Sequence, residues 1–282
     1  ILAVAALVTQ APLRNLGPAI RITTPAVFLL LFSYTTWVRA TQWSDVVSQA
    51  TYEARHHPQS FRAVFAAGRV YANLALSGAP EFEDEARKLF LRAGELDERQ
   101  IMAYSALILF NYALKKPIDP AWYDALFYRL SNQPVIPTTL ISLRAFVKCS
   151  EADCGVPAET METMFKLTME NETTHLSNKR LAETEALYGS FAVNTQKDLI
   201  KAHRLFTQAV AHRPRDTNYW LNLINFLIAA GDLDEAQDKL ELFKTENTHG
   251  GNDAMYQGLQ DLINSAHQQK TTPVSTPSKP GS

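Results

Sequence analysis

Two apolar runs open the chain, and a helical period carries the rest. Ile1–Val8 contains no charge, and Ile22–Val38 gives 17 residues without one, with Phe28 to Phe32 near its centre. The second run reaches the lower limit of about 17–25 residues for a spanning helix. The pattern predicts a membrane region over 1–40, with a truncated span at 1–8 and a span at about 22–38. Tyr34, Trp37 and Trp43 stand where an interfacial aromatic belt would, and Arg39 follows the run. The connecting segment Thr9–Arg21 carries Arg14 and Arg21. Basic loops stay on the cytoplasmic side, so everything after Val38 is expected across the membrane. Because the chain starts inside an apolar run, it reads as a fragment whose upstream part is missing.

From Thr41 onward the apolar positions follow the 3.6-residue period of a surface helix, and no sustained strand alternation appears. A helix is predicted over Thr41–His57, with Ser44 as N-cap and Pro58 as its stop. Phe61–Leu76 follows, then a long turn, Ser77–Glu83, and a helix carrying Ala86, Phe90 and Ala93. Further helices are predicted over 100–114, 120–130, 137–147, 157–168, 176–193, 202–214, 218–230, 233–245 and 253–267. The fold class is therefore all-α. The last helix carries Gln257, Gln260, Asp261 and Asn264 on its outer face, as a closing helix requires. Residues 269–282 are rich in Pro, Ser, Thr and Lys, and a disordered tail is expected there.

The spacing of particular residues goes further. Trp220, Leu223, Gly231, Ala236 and Leu240 fall at the intervals of a 34-residue helix-turn-helix repeat. Ala202, Phe206, Ala209 and Pro214 occupy the matching second-helix positions one period upstream. Gly68 and Tyr71, followed by Ala86, Phe90 and Ala93, repeat the pattern with an insertion in the turn. The helix pairs over 100–168 keep the period but lose the small residues. On these residues the chain resembles the tetratricopeptide repeat family. The resemblance implies an α-solenoid over 41–268, in which each hairpin buries its apolar face only by stacking on a neighbour. It also implies a concave groove, lined by the first helix of each pair, that holds a protein or peptide partner.

Composition narrows the chemistry. The net charge of -2 offers no electrostatic footprint for nucleic acid. Dinucleotide, phosphate-loop, zinc-protease and serine-hydrolase motifs are absent, so no catalytic residue, no cofactor and no metal are expected. The acidic runs Glu81–Glu85, Glu95–Glu98 and Asp232–Glu235 sit in turns or at helix ends, where negative charge near an N-terminus is favourable. His203 and His212 are nine residues apart on one predicted helix, which does not make them a ligand pair. Cys149 and Cys154 lie between two predicted helices. They either close a small disulfide in an oxidising compartment or stay as two thiols at helix ends.

One polar constellation stands out. Asn218, Asn222 and Asn225 recur at i, i+4 and i+7 on the first helix of the clearest repeat. Asparagine both donates to and accepts from a peptide backbone, and Asn222 and Asn225 resemble asparagines with which tetratricopeptide proteins hold extended peptides. Against that, the three also fit an ordinary solvated helix face. Leu221 stands where the carboxylate-clamp class has a basic residue, and Tyr188 and Ala66 stand where an asparagine ladder would continue.

The junction adds a second resemblance. A last span, Arg39, Trp43, a short helix ending in His57-Pro58 and then repeats resemble multi-span membrane proteins with C-terminal tetratricopeptide repeats. These include lipid-linked-sugar glycosyltransferases of the protein O-mannosyltransferase type. The resemblance implies an inner-membrane protein whose catalytic residues lie upstream of this chain and whose repeats face the periplasm.

Overall fold

The computed structural model describes residues 18–43, 45–171, 177–247 and 252–271. Among these the chain forms thirteen α-helices and no strand. They are α1 (Pro18–Gln42), α2 (Val46–His56), α3 (Phe61–Leu76), α4 (Glu83–Leu96), α5 (Met102–Ala113), α6 (Pro120–Asn132), α7 (Pro137–Glu151), α8 (Ala158–Met169), α9 (Asn178–Phe191), α10 (Leu199–His212), α11 (Thr217–Ala230), α12 (Leu233–Glu246) and α13 (Asp253–Thr271). A 3₁₀ turn, Pro80–Phe82, precedes α4, and a π turn, Ala192–Gln196, joins α9 to α10. Most bounds fall within a few residues of the periodicity. The chain divides into two compact units, residues 1–93 and 94–282.

In the first unit, α2 and α3 form a helical hairpin. The cap of α2 differs from expectation. Asp45 accepts from the backbone N–H of Val47 and Ser48 at 3.3 and 2.8 Å, while Ser44 lies outside the described residues. Ser60 caps α3 by accepting from Ala63 N–H. Phe65 and Phe90 bring ring centroids to 5.8 Å. Gly68 makes room for that ring, since a Cβ there would lie 2.9 Å from Phe90 Cδ1.

The long N-terminal helix corrects one expectation. No helix among the described residues is long and apolar enough to cross a membrane, so the span predicted at about 22–38 is not supported. Pro25 lies inside the helix and Arg39 in its last turn. Thr23, Thr24, Ser33, Thr35 and Thr36 dilute the apolar run further. The truncated span expected at 1–8 lies outside the described residues. What α1 does present is an uncovered apolar surface: Val27, Phe28, Leu29, Leu30, Leu31 and Phe32 are each more than half exposed.

The second unit is a stack of hairpins. The first helices α5, α7, α9, α11 and α13 pack side by side, each on the next. The second helices α6, α10 and α12 each pack on the first helix before them, α8 on α7 and α9, and α6 on α8. Two buried clusters fill it. One joins α9 to α13 through Phe206, Trp220, Leu240, Phe243 and Ile263. The other joins α5 to α9 through Ile108, Leu143, Phe146, Met161 and Phe165. The pairs that lack the repeat's small residues therefore stack all the same. The closing helix has a polar outer face, where Gln257 donates to Asp261 at 2.9 Å. Gln260 and Gln237 exchange hydrogen bonds of 2.6 and 3.0 Å. Residues 269–271 are helical, and the rest of the expected tail, 272–282, lies outside the described residues.

Candidate functional site

Helix α11 is set by its own sequence. Asp216 caps it, accepting from Asn218 N–H at 3.3 Å. Its apolar stripe, Tyr219, Trp220, Leu223, Ile224, Phe226 and Leu227, is buried. Trp220 is held on both sides, its Nε1–H donating to Pro214 O at 2.7 Å and its ring stacking on Phe243 at 5.4 Å. Burial of this stripe leaves the opposite face to solvent, and Asn218, Asn222 and Asn225 are all exposed there. Asn218 Nδ2 donates back to Asp216 at 3.1 Å. Asn222 and Asn225 bond to nothing among the described residues, so their amides are open to a partner. Leu221 and Ile228, half-buried beside them, give the stripe an apolar edge.

The preceding hairpin departs from this one by a single residue. In the second helices, Ala236, Leu240 and Phe243 follow Ala202, Phe206 and Ala209 by 34 residues. In the first helices five buried positions match at a shift of 35: Thr184, Glu185, Gly189, Phe191 and Ala192 correspond to Tyr219, Trp220, Ile224, Phe226 and Leu227. The extra residue is taken up in the π turn Ala192–Gln196, whose wider turn absorbs one residue without breaking the helix. Neighbours hold that turn. Asn194 Nδ2 donates to Glu151 at 2.6 Å, Ser150 bonds Thr195 at 3.3 Å, and Gln196 Nε2 donates to Glu162 at 2.6 Å. Glu162 also receives Lys201 Nζ at 2.6 Å, and that hydrogen bond holds its carboxyl below the usual range.

The shift corrects the alignment of the site. Leu187, not Tyr188, stands opposite Asn222, and Ser190 opposite Asn225. Tyr188 instead stacks on Phe165 at 4.5 Å. Helices α7 and α9 are joined by Arg144 and Glu183 at 2.9 Å. The amide ladder is thus confined to α11, and the neighbouring faces are mixed apolar and charged.

Other candidates take structural places. His203 and His212 bond Glu235 and Glu185 at 3.0 and 2.8 Å, two separate bridges from α10. Among the described residues no group of three His, Cys, Asp or Glu could hold a metal. Glu185 is only 2 % exposed, and burial pushes its carboxyl upward against the lowering effect of His212. Cys149 and Cys154 are joined in the structure with Cα atoms 5.3 Å apart. They close a loop in which Asp153 takes a positive φ of 53°, and Gly155 just after it takes 95°. Sequence reading also missed Arg129, which is buried, donates to Gly94 O at 2.9 Å and lies 4.6 Å over the Tyr104 ring.

A search of the curated proteins finds no match. Among solved structures, one titled a functional characterization of Pseudomonas aeruginosa pilF is similar at 16% identity, covering 72% of this chain and 89% of that one with a TM-score of 0.37. The family comparison is the informative one: residues 195–261 match the tetratricopeptide repeat. That segment holds α10, α11, α12 and the first part of α13, so the hairpin with the asparagine stripe lies within the part of the chain that matches the repeat.

Proposed function

We propose that the chain is a non-catalytic, membrane-tethered repeat scaffold that holds an extended segment of a protein partner against α11. The carrying observation is the pair Asn222 and Asn225, exposed on a first helix and without a partner among the described residues. Two amides a turn apart match the donors and acceptors of an extended backbone, and Leu221 and Ile228 beside them supply apolar contact. A photocrosslinking residue at position 222 should label the partner in cells, and the same residue at Gln208, exposed on second helix α10, should not. Equal labelling at both positions would reject the reading.

The tether is α1. Six consecutive exposed apolar residues, Val27 to Phe32, turn about 100° each and so surround the helix. One protein face covers one stripe; a bilayer covers all sides. The purified chain should float with liposomes, and removal of residues 1–42 should leave it in solution. Failure of the intact chain to float would remove the tether.

On this reading the repeats face the periplasm, and what supports it is the joined Cys149–Cys154 pair, which suits an oxidising compartment. The chain is then the C-terminal part of a larger membrane protein such as an envelope glycosyltransferase. The competing reading is a structural assembly factor of an envelope or secretion complex with no enzyme attached. The number of spans upstream in the full-length protein separates them: about ten for the first, one for the second. Free alkylation of both cysteines without reductant would count against the periplasmic placement.

A further inference from the structure

Helix α7 ends on a left-handed cap built without its usual glycine. Asp153 N–H donates to Ser150 O and Cys154 N–H to Cys149 O, each at 3.1 Å. These are the two closing bonds of a cap whose turning residue is left-handed and most often glycine. Here that residue is Asp153, at φ 53°, where a Cβ crowds the following carbonyl. Such caps commonly carry an apolar contact between the two residues that the longer bond joins. Those residues are Cys149 and Cys154, and a covalent bond between them takes the place of that contact. The disulfide holds shut a turn that its own sequence disfavours.

The last turn of α7 also grips a neighbour. Its Ser150 and Glu151 meet Thr195 and Asn194 of the π turn. Glu162 of α8, beyond the other end of the disulfide loop, meets Gln196. The grips therefore come from both sides of the loop that Cys149 and Cys154 close. Each is a hydrogen bond between side chains at or near the surface, and such a bond stabilises only if it outweighs the entropy of ordering its groups. The disulfide does that ordering beforehand. The π turn is where the extra residue of the α9–α10 hairpin is absorbed, so holding it fixes how α9 runs into α10.

We propose that Cys149–Cys154 is a redox latch on the π turn Ala192–Gln196, opened by a dithiol. One thiolate of the dithiol attacks a sulfur of the pair, the S–S bond breaks and a mixed disulfide forms. The second thiolate releases the chain by closing the dithiol's own disulfide. Two electrons and two protons pass to the chain, which gains two thiols. Both cysteines are half-buried, and Glu151, Ala152 and Asp153 between them are exposed, so the loop is open to such a reagent. Without the link the cap at Asp153 relaxes, Ser150 and Glu151 leave the π turn, and the turn opens while the buried clusters stay packed. The latch rests on this geometry alone, not on the periplasmic placement or on the α11 stripe.

The test is hydrogen–deuterium exchange on the full chain, first oxidised and then reduced with dithiothreitol. Peptides over 192–198 should exchange at least about tenfold faster after reduction, as a local opening has its own free energy. Those over 217–230 should not change, and reoxidation should restore the protection. Asp153→Gly should keep the turn protected even when reduced, because glycine takes the left-handed cap at no steric cost. Ser150→Ala/Glu151→Ala should expose the turn with the disulfide intact. Unchanged exchange over 192–198 on reduction would overturn the proposal. So would a reduced Asp153→Gly chain that exchanges there as fast as the reduced wild type. Equal acceleration over all helices from α5 to α13 would also reject it, making the pair a general staple.

Discussion

The hairpins α9–α10 and α11–α12 have the same plan and solve the same packing problem differently. Where α11 buries Trp220 against Phe243 and Pro214, α9 buries Glu185 against His212. A tryptophan fills its position by area. A glutamate there must be hydrogen-bonded, because an unpaired buried carboxylate is costly. The second difference is Gly189, matched by Ile224 in α11. A Cβ on Gly189 would stand 2.8 Å from Phe206 Cε1, so α9 lets the ring of α10 approach its backbone. The comparison teaches that stacking tolerates a changed core residue and an extra residue, provided that the second helices keep their 34-residue register.

The largest expected effect is at the tryptophan. Trp220→Ala should cost about 3–5 kcal/mol in chemical denaturation, the usual range for emptying such a site. A cost below 1 kcal/mol would mean that the two hairpins do not share one cooperative core. Gly189→Ala comes next, at about 1–3 kcal/mol, because the Phe206 ring must move. Ile224→Ala should instead cost what a small cavity does, so an additive double variant would support separate causes.

Glu185 gives a pH signature that the tryptophan hairpin lacks. Burial raises its carboxyl above the ordinary glutamate value of 4.5, and the hydrogen bond from His212 opposes this only in part. The folded state then holds the proton more tightly than the unfolded chain. The stabilising contribution is complete below the ordinary value and is lost as pH rises through the raised one. Thermal melts should therefore show wild type losing stability relative to Glu185→Gln on going from about pH 4.5 to neutrality. Parallel pH profiles would remove Glu185 from the titration. The smallest effect is expected at Asn222→Ala/Asn225→Ala. Exposed and without partners among the described residues, the pair should change stability by less than about 0.5 kcal/mol while weakening partner capture; a large loss of stability would make the stripe structural.

The sequence by itself determined the helices and the repeat. Helical period is a local property, and the small residues Ala202 and Ala236, 34 apart, mark the same helix contact in two successive hairpins. It also marked Asn218, Asn222 and Asn225 as one face, since the spacing of residues within one helix fixes their geometry. Tertiary structure decided the rest. The π turn is legible only once two helices are superposed, because one extra residue leaves the apolar period of each intact. The Glu185–His212 bridge and the place of Arg129 depend on the azimuth at which separate helices meet, which no local spacing encodes. A cleft lined by Ala50, Ala63 and Ala66 is the clearest case. Each alanine reads as ordinary helix surface or core, and only the packing of α2 on α3 turns their missing side chains into a space.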